Sequence, residues 1–215
     1  MAAAVKKRNY DMAHRSRLAA ETRRRIIEAA GRRFLRDGYA ATSMNAIAAE
    51  AGVAVQTVYA NLKTTRDVLE AVIQLNVRGN NAAVPLIASP RWQQMEAQTD
   101  GRSKLAMFAQ IHREICAREA GLFVVLEIAA AVDPEIEPLL RDKERYRYED
   151  QTRVARSLRH HGQLRTGLTI RNASDSIWAL ASERVYLALV QDRNWSTANY
   201  EIWLTDQLAA ALLPT

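Results

Sequence analysis

Between Ala46 and Leu62 the chain reads AIAAEAGVAVQTVYANL, and the second half of that stretch carries side chains suited to reading a DNA duplex. Gln56 can pair bidentately with an adenine edge, and Val55 or Ala60 can meet a thymine methyl. The hydroxyls of Thr57 and Tyr59 suit phosphate oxygens, and Asn61 completes the exposed set. Gln56 is the strongest base reader of the six. To enter a major groove these residues must sit on a short helix braced by another. Two such helices cross closely only over a small residue, which Ala48 supplies. The turn between them needs a residue that tolerates positive φ, and Gly52 follows four positions later. Ile47, Ala51, Val53 and Val58 are apolar where the pair must face its support, so the spacing predicts a helix-turn-helix.

The support comes from the preceding residues. From Ala19 onward, Ile26, Ala30 and Phe34, with Ile27 and Leu35 beside them, form one stripe of an amphipathic helix. Arg23, Arg24, Arg25, Arg32, Arg33 and Arg36 lie on the other faces, and Gly38 ends the pattern as a left-handed terminal residue would. Thr42 offers a side-chain cap for a short helix over about 43–51, although Asn45 replaces the Glu or Gln of a full capping box. The second short helix runs over about 55–62. A third starts at Thr64 or Thr65 and continues through Leu69, Val72 and Ile73 toward Arg78, where Gly79-Asn80-Asn81 stops it. Residues 1–17 read as a flexible basic arm, residues 18–64 as the DNA-binding domain and residues 65–215 as a second domain.

Charge supports the same division. The 215-residue chain has a net charge of +6, yet residues 1–65 hold 12 Lys and Arg against 5 Asp and Glu, so the basic excess lies in the first third. A basic head on a nearly neutral body suits a polyanionic partner, here double-stranded DNA. With 48% hydrophobic residues, 8 Gly and 5 Pro, the composition suits helices with few turns and an all-α fold. Helices are expected over about 102–118, 120–132, 134–161, 173–191 and 197–213. The single Cys116 excludes an intramolecular disulfide and suits a reducing cytoplasm. The longest apolar run, Leu122 to Val132, is interrupted by Glu127 and falls short of a membrane span.

No phosphate-cradling glycine loop, Gly-x-Ser-x-Gly elbow or His-Glu-x-x-His motif occurs, so catalysis is not expected. Adjacent helical residues point about 100° apart. His160-His161 is therefore not expected to hold a metal, and no cofactor is implied.

The run TSMNAIAAEAGVAVQTVYANLKTTRDVLEAVI, Thr42 to Ile73, resembles the DNA-binding segment of the TetR family of transcriptional regulators, and the likeness extends back to Arg23 through the Gly38-Tyr39 pair. A weaker likeness runs from Trp178 through Asp192-Arg-Asn-Trp-Ser to Trp203. The resemblance implies an N-terminal three-helix DNA-binding domain, a helical C-terminal ligand-binding and dimerisation domain, and a repressor released from a palindromic operator by a small effector. An architectural DNA-binding protein without an effector is the alternative. It also implies Thr42 and Tyr59 as backbone contacts. Three positions depart from the common pattern: Ala54 stands where a capping Ser is frequent, Leu62 where Phe is, and Thr65-Arg66 where Lys-Glu is. The phosphate contact of the missing Lys then falls to Lys63 or Arg66.

In TetR-like proteins helices at the positions of residues 102–161 surround an effector cavity. That makes Phe108, His112, Phe123, Glu127 and Tyr148 the expected ligand-binding residues, with Tyr146 adding aromatic surface. Their chemistry suits a mostly apolar molecule bearing a hydrogen-bonding or cationic group. A homodimer is expected through the last two long helices, where Ile177, Ala181, Val185, Ala188 and Leu189 form one stripe and Leu204, Leu208 and Leu212 another. Trp178, Trp195 and Trp203 read as packing or interface anchors.

Overall fold

A computed structural model describes the backbone over residues 2–79 and 84–214 and the side chains of residues 14–79 and 84–214. The chain is all-α, with no strand among the described residues, and divides into two compact units, Met1–Ile73 and Gln74–Thr215. No helix among the described residues is long and apolar enough to cross a membrane.

The first unit begins with α1, Ala2–Asp37. Where a flexible arm was expected over residues 1–17, the backbone is helical from Ala2. This stretch is rich in Ala, Arg and Lys, all good helix formers, and holds no Gly or Pro before Gly31 to stop the turn-by-turn hydrogen bonding. Ile26, Ile27, Ala29, Ala30 and Phe34 are buried. Gly31 permits close approach: a Cβ there would lie 3.3 Å from Val72 Cγ1. Gly38 ends α1 at φ 78°, and its N–H donates to Phe34 O at 3.0 Å.

The pair α2, Met44–Ala51, and α3, Val55–Asn61, follows, with Gly52 between them at φ 64°. The N–H groups of Gly52 and Val53 return to Ala49 O and Ala48 O, closing the C-terminus of α2. Ser43, not Thr42, caps α2, its hydroxyl accepting from Ala46 N at 3.2 Å. Thr42 is instead buried, donating its hydroxyl proton to Gly38 O at 2.7 Å. Its position one residue too early for the cap turns it onto the α1–α2 corner.

Ala54 begins α3 with no side-chain cap. Ala54→Ser is therefore expected to raise stability by about 1 kcal/mol, read as an upward shift in the urea midpoint with unchanged slope. An unchanged midpoint would show that the uncapped N–H groups lose nothing to the missing hydroxyl. The next helix, α4, Thr65–Arg78, opens on a reciprocal cap in which Thr64 Oγ1 accepts from Asp67 N at 3.0 Å and Asp67 accepts from Thr64 N at 3.1 Å. Val68, Leu69, Val72 and Ile73 are buried, and the unit boundary falls after Ile73 rather than after residue 64. Of the expected Gly79-Asn80-Asn81 stop, Gly79 has φ 62°, and Asn80 and Asn81 lie outside the described residues.

In the second unit a short 3-10 turn, Leu86–Ala88, leads into α5, Pro90–Ala97, with Pro90 in its first turn and Ser89 as cap. Then come α6, Gly101–Val132, and α7, Glu137–His160, which begins after the turn that Pro134 opens. The remaining helices are α8, Ile170–Leu180, α9, Glu183–Tyr186, which passes into a π turn over Leu187–Asp192, and α10, Thr197–Leu212. α10 packs on α6 and α8, α7 on α8 and α6, and α9 on α6.

Two expected helix boundaries move. Residues 102–118 and 120–132 form one helix, because Glu119 and Ala120 lie buried on its packed face and hold the chain straight through Gly121. The expected helix over 173–191 is broken at Ala181-Ser182. Ser182 caps a new start by accepting from Val185 N at 3.3 Å, while Arg147 and Gln151 take the freed Ala181 carbonyl at 2.8 and 3.0 Å. The stripe expected at a dimer interface faces its own core instead. Ile177, Ala181, Leu204, Leu208 and Leu212 are each 0% exposed within one chain. An apolar stripe reports that a helix face is buried, and the nearest partner here is intramolecular. Val185 and Leu189 are half-buried against that core, and Ala188 is exposed.

Candidate functional site

On the first unit, Gln56, Tyr59, Ala60 and Lys63 are all exposed at spacings of three, four and seven from Gln56, forming one continuous strip along α3 and just beyond it. Val58 faces inward at 0% exposure, which fixes the roll of α3, and Leu62 is buried as well. Tyr59 is 52% exposed, its ring and hydroxyl open on the strip. Val55 and Thr57 are half-buried at the edges of the strip. Asn61 turns back on its own helix, donating Nδ2–H to Thr57 O at 2.7 Å, so its amide is partly committed. Arg66 lies 3.6 Å from Glu70 and is half-buried, whereas Lys63 has no ion pair or hydrogen bond among the described residues. Thr42 also lies off the strip, since both its hydroxyl and its backbone N–H are engaged in the corner, the latter with Tyr39 O at 3.1 Å.

The arginines of α1 brace this arrangement more than they extend it. Arg25 donates to Ala51 O at 2.8 Å, at the end of α2. Arg32 and Arg36 converge on Glu50 at 3.1 and 3.4 Å, and hydrogen bonding by Arg32, then Arg36, holds that carboxyl below its ordinary range. Arg24 and Arg33 pair with Glu28 and Asp37 within α1.

The second unit holds the other expected set. Phe108, His112 and Phe123 lie buried along one face of α6, and the sequence reading missed Cys116 and Glu119 as members of the same face. Their spacings of four, four, three and four could have shown it. Phe108 stacks on His112 at 6.2 Å between centroids, and His112 faces Tyr200 at 6.2 Å, with Tyr186 edge-on to Tyr200 at 5.0 Å. Burial pushes the His112 imidazole down to about 4, so it is neutral, and Cys116 Sγ lies 3.3 Å from its Nε2. Burial likewise raises the Cys116 thiol and the Tyr200 phenol. A thiol held protonated in this way is no nucleophile. Glu127 is on the rim, half-buried and paired with Arg184, whose guanidinium stands over the Phe123 ring at 5.4 Å. Tyr148 lies apart from these residues, bonding Asp175 at 2.9 Å on the α7–α8 surface, and Tyr146 is exposed.

Below His112 sits a buried ionic network that no local sequence pattern announced. Lys143 on α7 bridges Glu119 of α6, at 2.8 Å, and Glu183 of α9. Burial alone would lower Lys143, but the two carboxylates outweigh it and hold it above its ordinary range. Arg147 bonds Glu144 at 2.8 Å and the carbonyls of Trp178 and Ala181 at 3.0 and 2.8 Å. Burial raises Glu119 to about 7. The same burial acts on Glu183, but Lys143, Glu119 and Arg147 outweigh it and hold that carboxyl well below its ordinary range.

Comparison with known proteins fits both units. Residues 26–72 match the model of the bacterial regulatory proteins of the tetR family. No curated protein sequence matches the chain. Among solved structures, a protein from Mesorhizobium loti MAFF303099 described as a TetR-family transcriptional regulator is similar at 20% identity, covering 91% of this chain and 98% of that one, with a TM-score of 0.67. The fatty acid degradation regulator FadR from Bacillus halodurans is similar at 20% identity, 87% and 94% coverage and a TM-score of 0.71. FadR from Bacillus subtilis, solved in complex with stearoyl-CoA, is similar at 19% identity, 87% and 97% coverage and a TM-score of 0.69. Residues 26–72, which hold the helix-turn-helix, are thus similar to the bacterial regulatory proteins of the tetR family, and the chain shares the fold of these solved structures over most of its length.

Proposed function

We propose that the protein is a sequence-specific DNA-binding regulator, a homodimeric repressor released from a palindromic operator when a small, mostly apolar effector binds its second unit. The observation that carries the DNA reading is the exposed strip of Gln56, Tyr59, Ala60 and Lys63 on a helix whose other face is locked by Val58. Gln56 reads a base edge, Tyr59 and Lys63 meet phosphates, and Val55 and Thr57 flank them. The effector reading rests on Phe108, His112 and Phe123 lining one interior face with Tyr186 and Tyr200 opposite, and a fold relative solved with stearoyl-CoA supports a ligand-responsive regulator. Two-fold pairing would leave the core stripes untouched and use outward residues of α8 and α10, of which Trp178 is 37% and Ile202 62% exposed.

Selection from random duplexes tests the reading. The purified dimer, verified by sedimentation, should enrich a palindrome. Gln56→Ala should cost about 1–3 kcal/mol and relax preference at one base position per half-site. Tyr59→Ala should weaken binding on all sequences alike. If no palindrome is enriched and affinity is uniform, the protein binds DNA architecturally and the regulator reading falls.

A further inference from the structure

The buried network of the second unit has more open acceptors than open donors. Lys143 is held between one oxygen of Glu119 and one of Glu183, and Arg147 is directed to Glu144 and to two carbonyls. Gln151, 3% exposed, gives its amide N–H to Ala181 O. What remains buried without a hydrogen-bond partner is both oxygens of Glu119, Glu144 Oε1, Glu183 Oε2 and Gln151 Oε1 as acceptors, with Arg147 Nε and the hydroxyl of Tyr200, itself 0% exposed, as donors. Arg147 Nε stands 3.7 Å from Glu183 Oε2, beyond hydrogen-bonding distance. Unmatched buried acceptors are costly, and native interiors rarely keep them without a ligand, water or proton.

We propose that this cluster is the polar end of the effector site and binds a primary or secondary ammonium group on an aromatic or apolar body, which replaces one proton held between Glu119 and Glu183. The inference rests on the effector reading above and names its ligand class. An anion is disfavoured because Arg147 Nε and the Tyr200 hydroxyl are the open donors and both stand among carboxylates, whereas the open acceptors are more numerous and belong to Glu119, Glu144, Glu183 and Gln151. Charge balance points the same way. Among the described residues Glu119, Glu144 and Glu183 pair with Lys143 and Arg147, so the fully ionised cluster carries one negative charge in excess.

The other groups facing it supply no compensating charge at neutral pH. On α6, His112 is neutral and Cys116 is protonated. On α9 and α10, burial raises Tyr186 and Tyr200, which keep their protons. On the rim, Glu127 and Arg184 pair with each other. The excess is instead met by a proton, for Glu119 sits at about 7 with Glu183 within hydrogen-bonding reach. An ammonium group would supply the same positive charge and two or three N–H donors. Phe123, already 4.9 Å from the Lys143 ammonium, and the Tyr186–Tyr200 pair offer ring surface for the attached body. One wall is the irregular stretch from the Ala181-Ser182 break through the π turn of Leu187–Asp192, a local geometry that recurs at functional sites.

The test uses phenethylammonium, 2-phenylethanol and phenylacetate, three probes of one skeleton and different charge, titrated calorimetrically into the full chain. Phenethylammonium alone should bind, about tenfold more tightly at pH 8 than at pH 6, and should release close to one proton at pH 6 when two buffers of different ionisation enthalpy are compared. Glu119→Gln, which keeps the shape and neutrality of the protonated residue, should bind the cation weakly and with no pH dependence. Tighter binding of phenylacetate or 2-phenylethanol, or cation binding to the wild-type chain without proton release, would overturn the proposal, whether or not the variant folds. Operator binding followed in parallel separates the two readings. Cation binding in a chain that selects no DNA sequence removes the regulator reading and leaves the site, and the reverse removes the site alone.

Discussion

Lys143→Ala is expected to destabilise the second unit by about 3–5 kcal/mol at pH 8, because it leaves Glu119 and Glu183 as unpaired carboxylates in a dry interior. Both are at most 3% exposed, and among the described residues the other cation beside them is Arg147, 3.7 Å from Glu183. Acid should relieve the loss. With Lys143 gone, both folded-state carboxyls shift above their unfolded values, so the folded chain binds protons more tightly than the unfolded one, and stability falls as pH rises from the unfolded value toward the raised one. The wild-type chain should show a smaller version of this between about 4.5 and 7, the interval over which burial raises Glu119. Urea unfolding at pH 5 and pH 8 measures both. A Lys143→Ala deficit equal at the two pH values would mean the carboxylates find water rather than remaining buried, and the network would then be a surface feature in practice.

Duplex binding should depend on salt just as steeply. If the two heads of a dimer neutralise six to ten phosphates, affinity falls by about 10³–10⁵ between 50 and 200 mM salt. Lys63 is exposed and without a partner among the described residues, so Lys63→Ala should lower the log–log slope by about one unit for each head and leave sequence preference intact. Arg32 and Arg36 behave differently. Their charge is met by Glu50, so replacing either should alter stability of the first unit more than the salt slope. Equal slopes for the wild-type chain and Lys63→Ala would place the phosphate contacts elsewhere.

The helix-turn-helix was legible because its requirements are local. A small residue at the crossing, a glycine where φ must be positive and an inward valine all fall within 17 residues, and Ala48, Gly52 and Val58 sit in the structure as their types demand. Thr42 misled for a local reason too. Thr and Ser are equivalent caps by type, and only the backbone path decides that Ser43 holds the capping position while Thr42 closes the corner. In the second unit, the face of α6 was read for its rings and imidazole. Glu119 on the same face was passed over because a carboxylate on an apolar stripe has no meaning until its partner is known, and Lys143 is 24 residues away on another helix.

What the sequence determined by itself is the helical class, the basic head, the exposed polar strip of the second short helix and the glycine stops, because each follows from periodicity, charge or backbone freedom within a few turns of chain. The tertiary structure alone decided where the stripes of α8 and α10 go and where the network forms. A stripe such as Ile177, Ala181, Leu204 and Leu208 encodes only the demand to leave water, which an intramolecular core and a partner subunit satisfy equally in pattern. The break at Ala181-Ser182 was decided in the same way. Its free energy is supplied not by local propensity but by Arg147 and Gln151, which reach from α7 to take the carbonyl that the broken helix releases.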